Sequence, residues 1–265
     1  PFMFVFLILF VMGLMVGSFL NVVILRLAWG KSPVRGRSHC PHCGHVLEWN
    51  DLIPVISFIL QRGRCRYCQK SISWQYPLVE LATAMAFVAL GSSCGVELFA
   101  VPFVSTSVIL CHPGELLWQL VLACFLILIF VYDARFMQIP DHFTIPAFIV
   151  AFLGRLLLGE DLKHLALGIL IGAGFFGAQY LLSRGAWIGS GDIRLGAVMG
   201  AGLSFPGVLA ALFFGYVSGA VVGVVLLATG RATRKTKIPF GTFLSAATFI
   251  ALIFHTAIEQ FFDIL

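Results

Sequence analysis

Charge is what this chain has least of: Asp, Glu, Lys and Arg make up 11% of its 265 residues, against 60% hydrophobic. With a mean hydropathy of +0.99, that composition excludes an ordinary soluble domain and indicates a membrane protein. No basic stretch precedes the first apolar run and no clear small-residue cleavage site follows it, so the run reads as a retained helix and not as a signal peptide. The chain opens on Pro1 without a methionine, which points to a few residues missing or replaced there. HExxH is absent, which argues against a zinc metalloprotease. "GAGFFG", residues 172 to 177, matches a dinucleotide-binding pattern literally but sits inside an apolar run with no preceding strand. Close helix packing by small residues is the better account, and Gly215, Gly219 and Gly223 repeat the spacing.

What is present is a series of apolar runs. A span takes about 20 apolar residues, and a backbone in lipid must satisfy its own hydrogen bonds, so the runs read as helices. Eight are expected, at about 2–25, 77–94, 115–132, 143–158, 164–182, 193–204, 207–229 and 239–262, the fourth and sixth being short. Basic residues cluster between spans one and two (Lys31, Arg35 and Arg37 among them) and between spans seven and eight (Arg231, Arg234, Lys235, Lys237), which makes both loops cytoplasmic. The segment from Gly95 to Gly114 has no basic residue and should face outward. The formal charge of +5 is therefore mostly a signal of topology, and nucleic-acid binding is not expected. Arg155 interrupts the fourth span near its outer end, where snorkelling is the default explanation.

The first cytoplasmic loop carries Cys40, Cys43, Cys65 and Cys68 as two CxxC pairs. Four thiolates at this spacing suit tetrahedral zinc, and a reducing cytoplasm argues against the alternative of two redox or structural disulfide pairs. A shell closed by four cysteines leaves no position for a reactive water, so the zinc would hold shape and not hydrolyse. His39, His42 and His45 crowd the first knuckle and are expected to be solvated or to lie behind the ligands. Cys94 and Cys111 stand at the ends of the outward segment, where they are as often free as paired, and Cys124 reads as packing within the third span.

Ionisable residues at membrane depth are costly and usually functional. "FVYDARFMQIPDHFTIP" holds Asp133 and Asp141, and "GSGDIRLG" holds Asp192. The bland reading places Asp133 and Asp192 at the water interface, neutralised by Arg135 and Arg194. Against it, Gly189 and Gly191 permit close backbone approach beside Asp192, Asp192 begins a helix whose dipole favours a carboxylate, and the topology brings both acids to one depth. Two close carboxylates share a proton, so one can act as general base on water while the other donates to a carbonyl. That is aspartyl peptidase chemistry. Asp141 follows Pro140 in a turn and reads as capping or loop structure.

Several stretches together resemble the type IV prepilin peptidases, membrane aspartyl proteases with a GxGD motif: "GSFLNVVILRL", "RGRCRYCQKSISWQYPLVELATA", the block from Asp133 to "IPD", "GSGD" and "KIPFGTFLSAA". The resemblance covers nearly the whole chain. It implies an eight-helix protein of the bacterial inner membrane that cuts the basic leader from type IV prepilins or pseudopilins, with the zinc loop and both acids on the cytoplasmic side. It implies Asp133 and Asp192 as the catalytic pair and Cys40, Cys43, Cys65 and Cys68 as zinc ligands. It also implies S-adenosylmethionine, which many members use to methylate the new N-terminal residue. No Rossmann-type methyltransferase pattern is present, so a methylation site would have to be built from the loop, near which Asn21 and Glu80 are the polar residues to test. Helix packing and interface anchoring account for these two at least as well. The chain departs from the family pattern at Arg194, where lysine is common, and at "PFGTFL", where "PFGPFL" is common.

The expectation is an all-α polytopic membrane protein with about eight transmembrane helices and a small zinc-ribbon-like cytoplasmic loop domain between the first two. Its parts are a first helix at 1–28, the zinc loop at 29–76 and a membrane peptidase domain at 77–265. Its partners are prepilin substrates and lipids. A transporter using the aspartates to relay protons or bind cations is the alternative of a different class, and a membrane-tethered zinc module that recruits partners is a third.

Overall fold

The structure, a computed structural model, describes residues 2–94, 113–233 and 236–264. Most of the segment read as outward-facing, Cys111 included, lies outside the described residues, as do Arg234 and Lys235. All regular elements among the described residues are helical. Among the described residues, five helices are long and apolar enough to cross a membrane, or six if one bent pair forms a single span. The protein is thus helical and multi-pass, as its composition requires. The chain separates into two compact units, Pro1–Leu110 and Cys111–Leu265.

In the first unit, α1 (Phe2–Ala28) packs against α3 (Gln75–Ser93). Gly13 and Gly17 make this close: a Cβ on Gly13 would stand 2.5 Å from Cα of Ala84, and one on Gly17 would stand 2.7 Å from Cα of Glu80. The opposite face of α1, with Leu7, Val11 and Met15, is exposed and wholly apolar, which in a bilayer is the lipid face. Between the helices runs the loop with its two CxxC pairs. It contains a 3-10 turn (Trp49–Asp51), one short α-helix, α2 (Ile56–Leu60), and two isolated antiparallel bridges, His39 with Val46 and Arg64 with Ser71.

The second unit holds α4 (Pro113–Phe136), α5 (Asp141–Leu157), α6 (Leu162–Ser183), α7 (Ser190–Ala228), α8 (Phe240–Ile253) and α9 (His255–Asp263). α7 packs against α5, α6, α8 and α9, and α4 packs against α5 and α8. Gly168 and Gly172 on α6 face Gly196 and Gly200 on α7; a Cβ on Gly168 would lie 2.7 Å from the Gly200 carbonyl oxygen. Of the "GAGFFG" glycines, Gly172 serves the close packing expected, whereas a Cβ on Gly174 or Gly177 would meet nothing within 4 Å. Gly215 and Gly219 take their contacts from Leu244 and Phe240 of α8.

α7 is not one straight rod. Its 39 residues would measure about 58 Å at 1.5 Å each, roughly twice the hydrocarbon thickness. Ser204 and Phe205 are non-helical and Pro206 follows, so the element is two helices joined at a break, matching the boundary expected between 204 and 207. The last expected span is bent by 78° between α8 and α9, a break with no proline or glycine to announce it. Arg155 does not snorkel. It is 7% exposed, its guanidinium stacks 5.0 Å from the Trp118 ring, its Nε donates to the Gly202 carbonyl at 2.8 Å and its Nη1 meets Glu160 at 3.3 Å. Gly202 is in the turn before the α7 break, where helical carbonyls lose their partners, so the arginine caps an interrupted helix from its neighbour.

Candidate functional site

The two CxxC pairs fold into matching turns. Cys40 donates its N–H to the His45 carbonyl and accepts from Gly44; Cys65 donates to Lys70 and accepts from Gln69. The residue after each second cysteine has positive φ, Gly44 at 72° and Gln69 at 59°. Each turn thereby points both of its thiols inward, and the four Sγ atoms lie within 4.8 Å of one another. Cys40 and Cys68 are 3.9 Å apart. A tetrahedron with zinc–sulfur bonds of about 2.3 Å has sulfur–sulfur edges of about 3.8 Å, so these four residues can hold such an ion. Burial alone would raise the Cys40 thiol, but the backbone N–H groups of Cys43 and His42, with the Cys65 and Cys43 thiols, bring it down to about 7. His39, His42 and His45 are exposed and stand outside the cluster; the His45 ring stacks on Tyr67, with centroids 3.5 Å apart. Asp51 ties the second turn down, meeting Arg66, Gln61 and Tyr67 at 3.2 Å each.

Asn21 and Glu80, in the same unit, are both buried. Asn21 donates to the Gly17 and Tyr76 carbonyls and accepts from Gln75. Glu80 accepts the Val55 N–H at 2.8 Å, holding a valine at φ 61°, a strained conformation for a β-branched residue. Asn21 ties α1 to the first turn of α3, and Glu80 fastens the loop to α3.

The second unit brings the acids together. Asp133 and Asp192 are 4% and 8% exposed. Each lies at the start of a helix. Asp192 is in the first turn of α7 and accepts the Gly189 N–H at 3.0 Å. Asp133 is near the end of α4 but reaches the first turn of α8, accepting the Thr242 N–H at 3.0 Å. Ile139, in the connection between α4 and α5, fills the space between these turns: a Cβ on Gly191 would be 2.9 Å from its Cβ, and one on Gly241 would be 2.7 Å from its Cδ1. The space Gly191 leaves is thus filled by Ile139, and Gly189 serves through its N–H. Tyr216, bonded to Gln179 at 2.9 Å, packs edge-on against Phe240.

Arg194 pairs with Asp141 at 2.6 Å, and Arg135 lies over the Phe136 ring. Asp141, read as a local cap, instead joins the start of α5 to α7. Two buried acids held by backbone N–H groups can share a proton and polarise a water against a carbonyl. Ile139, Gly241 and Thr242 were missed as site residues. "KIPFGTFLSAA" contained two of them, but nothing local in that stretch says which acid they meet.

Residues 11–94 match the bacterial peptidase A24 N-terminal domain, and residues 120–224 match the type IV leader peptidase family. The chain is 34% identical to a prepilin leader peptidase/N-methyltransferase of Bacillus subtilis (strain 168) over 96% of each chain. It is 38% identical to the protein of that name from Myxococcus xanthus (strain DK1622) over 86% of this chain and 65% of the relative. It is 32% identical to that of Aeromonas hydrophila over 97% of this chain and 93% of the relative. No solved structure gives a significant match.

Proposed function

Because this chain belongs to the type IV leader peptidase family and is a peptidase, we propose that Asp133 and Asp192 form an aspartyl dyad that cuts the basic leader from type IV prepilins or pseudopilins at the cytoplasmic face of the bacterial inner membrane. The observation that carries the reading is that two buried carboxylates, from α4 and α7, each accept an N–H at a helix start, and that both of these first turns abut Ile139. With one proton between them, the ionised carboxylate takes a proton from water as the water oxygen bonds to the scissile carbonyl carbon. The protonated partner gives its proton to the carbonyl oxygen. The tetrahedral carbon then expels the nitrogen, which receives the proton held by the base, while one of its hydroxyls returns a proton to the partner carboxylate, leaving a carboxylic acid and the starting dyad. A prepilin inserted as a helix would present its leader junction at this depth.

Four-cysteine zinc keeps the loop in shape. Methylation of the freed N-terminus from S-adenosylmethionine belongs to the proposed activity, since the relatives are named for it. Asn21 and Glu80 do not fit as its binding groups, being engaged within their own unit, so no residue is assigned to the cofactor. We read eight membrane passages, counting the halves of α7 separately and the bent α8–α9 pair as one, with the cysteine loop in the cytoplasm. The decisive experiment is cleavage of a purified prepilin in detergent or lipid, with product masses read for the intact protein, Asp133→Asn and Asp192→Asn. Each substitution should lower the rate at least roughly 10² to 10⁴-fold, the usual weight of a general acid or base. A variant that still cuts at full rate would remove its residue from the dyad.

A further inference from the structure

α8 begins at Phe240 behind Pro239, an N-cap residue with no side-chain acceptor for the unpaired N–H groups of the first turn. The Thr242 hydroxyl turns back to the Pro239 carbonyl, leaving the Thr242 N–H to be satisfied from elsewhere. It is satisfied by Asp133, 109 residues away in the chain and buried. The cap of α8 is therefore a carboxylate from α4, and helix and acid hold each other.

This approach depends on residue 241 having no side chain. A Cβ there would lie 2.9 Å from Oδ2 of Asp133, 3.1 Å from its Cγ and 2.7 Å from Cδ1 of Ile139, so the carboxylate or the isoleucine would have to move. Backbone conformation does not explain the glycine: Gly241 is not among the residues with positive φ, and it lies within a helix, where glycine costs about 1 kcal/mol relative to alanine. What it supplies is room for Asp133.

We propose that Gly241 is a positioning residue of the peptidase site, its bare backbone letting the first turn of α8 seat against Asp133 and fix that carboxylate in the dyad. The inference rests on the reading of Asp133 and Asp192 as the dyad. It is tested with the full chain by measuring kcat and KM for prepilin cleavage, together with thermal melting, in Gly241→Ala, Ile139→Val and the double variant. Valine at 139 removes the Cδ1 that the new methyl would strike but leaves the clash with Asp133. Gly241→Ala should lower kcat roughly 10 to 10²-fold with KM within about twofold, the cost of misplacing a reacting group by up to an ångström. The double variant should melt like Ile139→Val alone and stay slow.

A Gly241→Ala enzyme with kcat within twofold of the parent would overturn the proposal. So would recovery of kcat in the double variant, which would assign the glycine to packing against Ile139, or failure of the double variant to fold, which would assign it to the scaffold. Asp133→Asn and Asp192→Asn are run beside them. If either still cuts, the dyad reading fails and takes this proposal with it; if both are dead and Gly241→Ala is unimpaired, only the proposal fails.

Discussion

At the scale of single residues, the buried charged side chains described in the second unit, Asp133, Asp192 and Arg155, each meet a helix end. Asp133 and Asp192 receive N–H groups at the starts of α8 and α7, and Arg155 covers a carbonyl before the α7 break. Replacing Arg155 by methionine should orphan the Gly202 carbonyl and leave Glu160 without its partner. An unmet buried hydrogen-bonding group costs about 1–3 kcal/mol, so the expected outcome is a lower melting temperature in detergent with kcat largely preserved in the surviving enzyme. Lysine should not restore stability, since it cannot both stack on Trp118 and reach two acceptors. Asp141, half-exposed and paired with Arg194, is a different kind of acid. Because exposed ion pairs contribute at most about 1 kcal/mol, Asp141→Asn should leave the cleavage rate within about threefold of the parent, and a loss as deep as that of Asp133→Asn would place it in the chemistry. Asp133, Asp192 and the four cysteines stood out in the sequence because charge in a greasy run and paired thiols at fixed spacing are costly or specific wherever they occur. Arg155 stood out too, but its partners lie on α4 and α7, and only packing reveals them.

At the scale of elements, glycine decides which helices touch. "GAGFFG" contains three glycines in six residues, yet only Gly172 lies against α7. Gly172→Ala should force α6 and α7 apart and lower both melting temperature and folded yield. Gly174→Ala and Gly177→Ala, which meet open space, should be neutral or gain slightly from better helix propensity, by up to about 1 kcal/mol. Melting curves of the three variants would check this, and equal losses in all three would contradict the packing. The pattern alone promised small-residue packing but could not choose the face, because the helix is apolar all round. The α7 break was legible because Pro206 cannot continue a helix without local adjustment. The bend at Phe254 was not, since no residue there breaks a helix and the neighbouring run is continuously apolar. The capping of α8 by Asp133 was invisible for a related reason: an N-cap proline looks complete in sequence, and its missing acceptor comes from a helix more than a hundred residues earlier.

At the scale of the whole molecule, the chain carries two separate pieces of chemistry. The cysteine turns and the polar fastening of Asn21 and Glu80 belong to the first unit, the aspartates to the second. Structural zinc contributes folding free energy directly, so the intact protein should hold one zinc per chain, and Cys40→Ser or a strong chelator should remove most of it. The stripped loop should then become open to trypsin at Arg62, Arg64 and Arg66, which peptide mass mapping beside metal analysis would show. The hydrogen bonds and packing glycines described around Asp133 and Asp192 come from residues between Asp133 and Thr242. Because the Thr242 N–H meets Asp133 across 109 positions of sequence, a chain truncated before α8 carries both acids yet lacks that bond, and the proposed site comes into being only when synthesis has nearly finished.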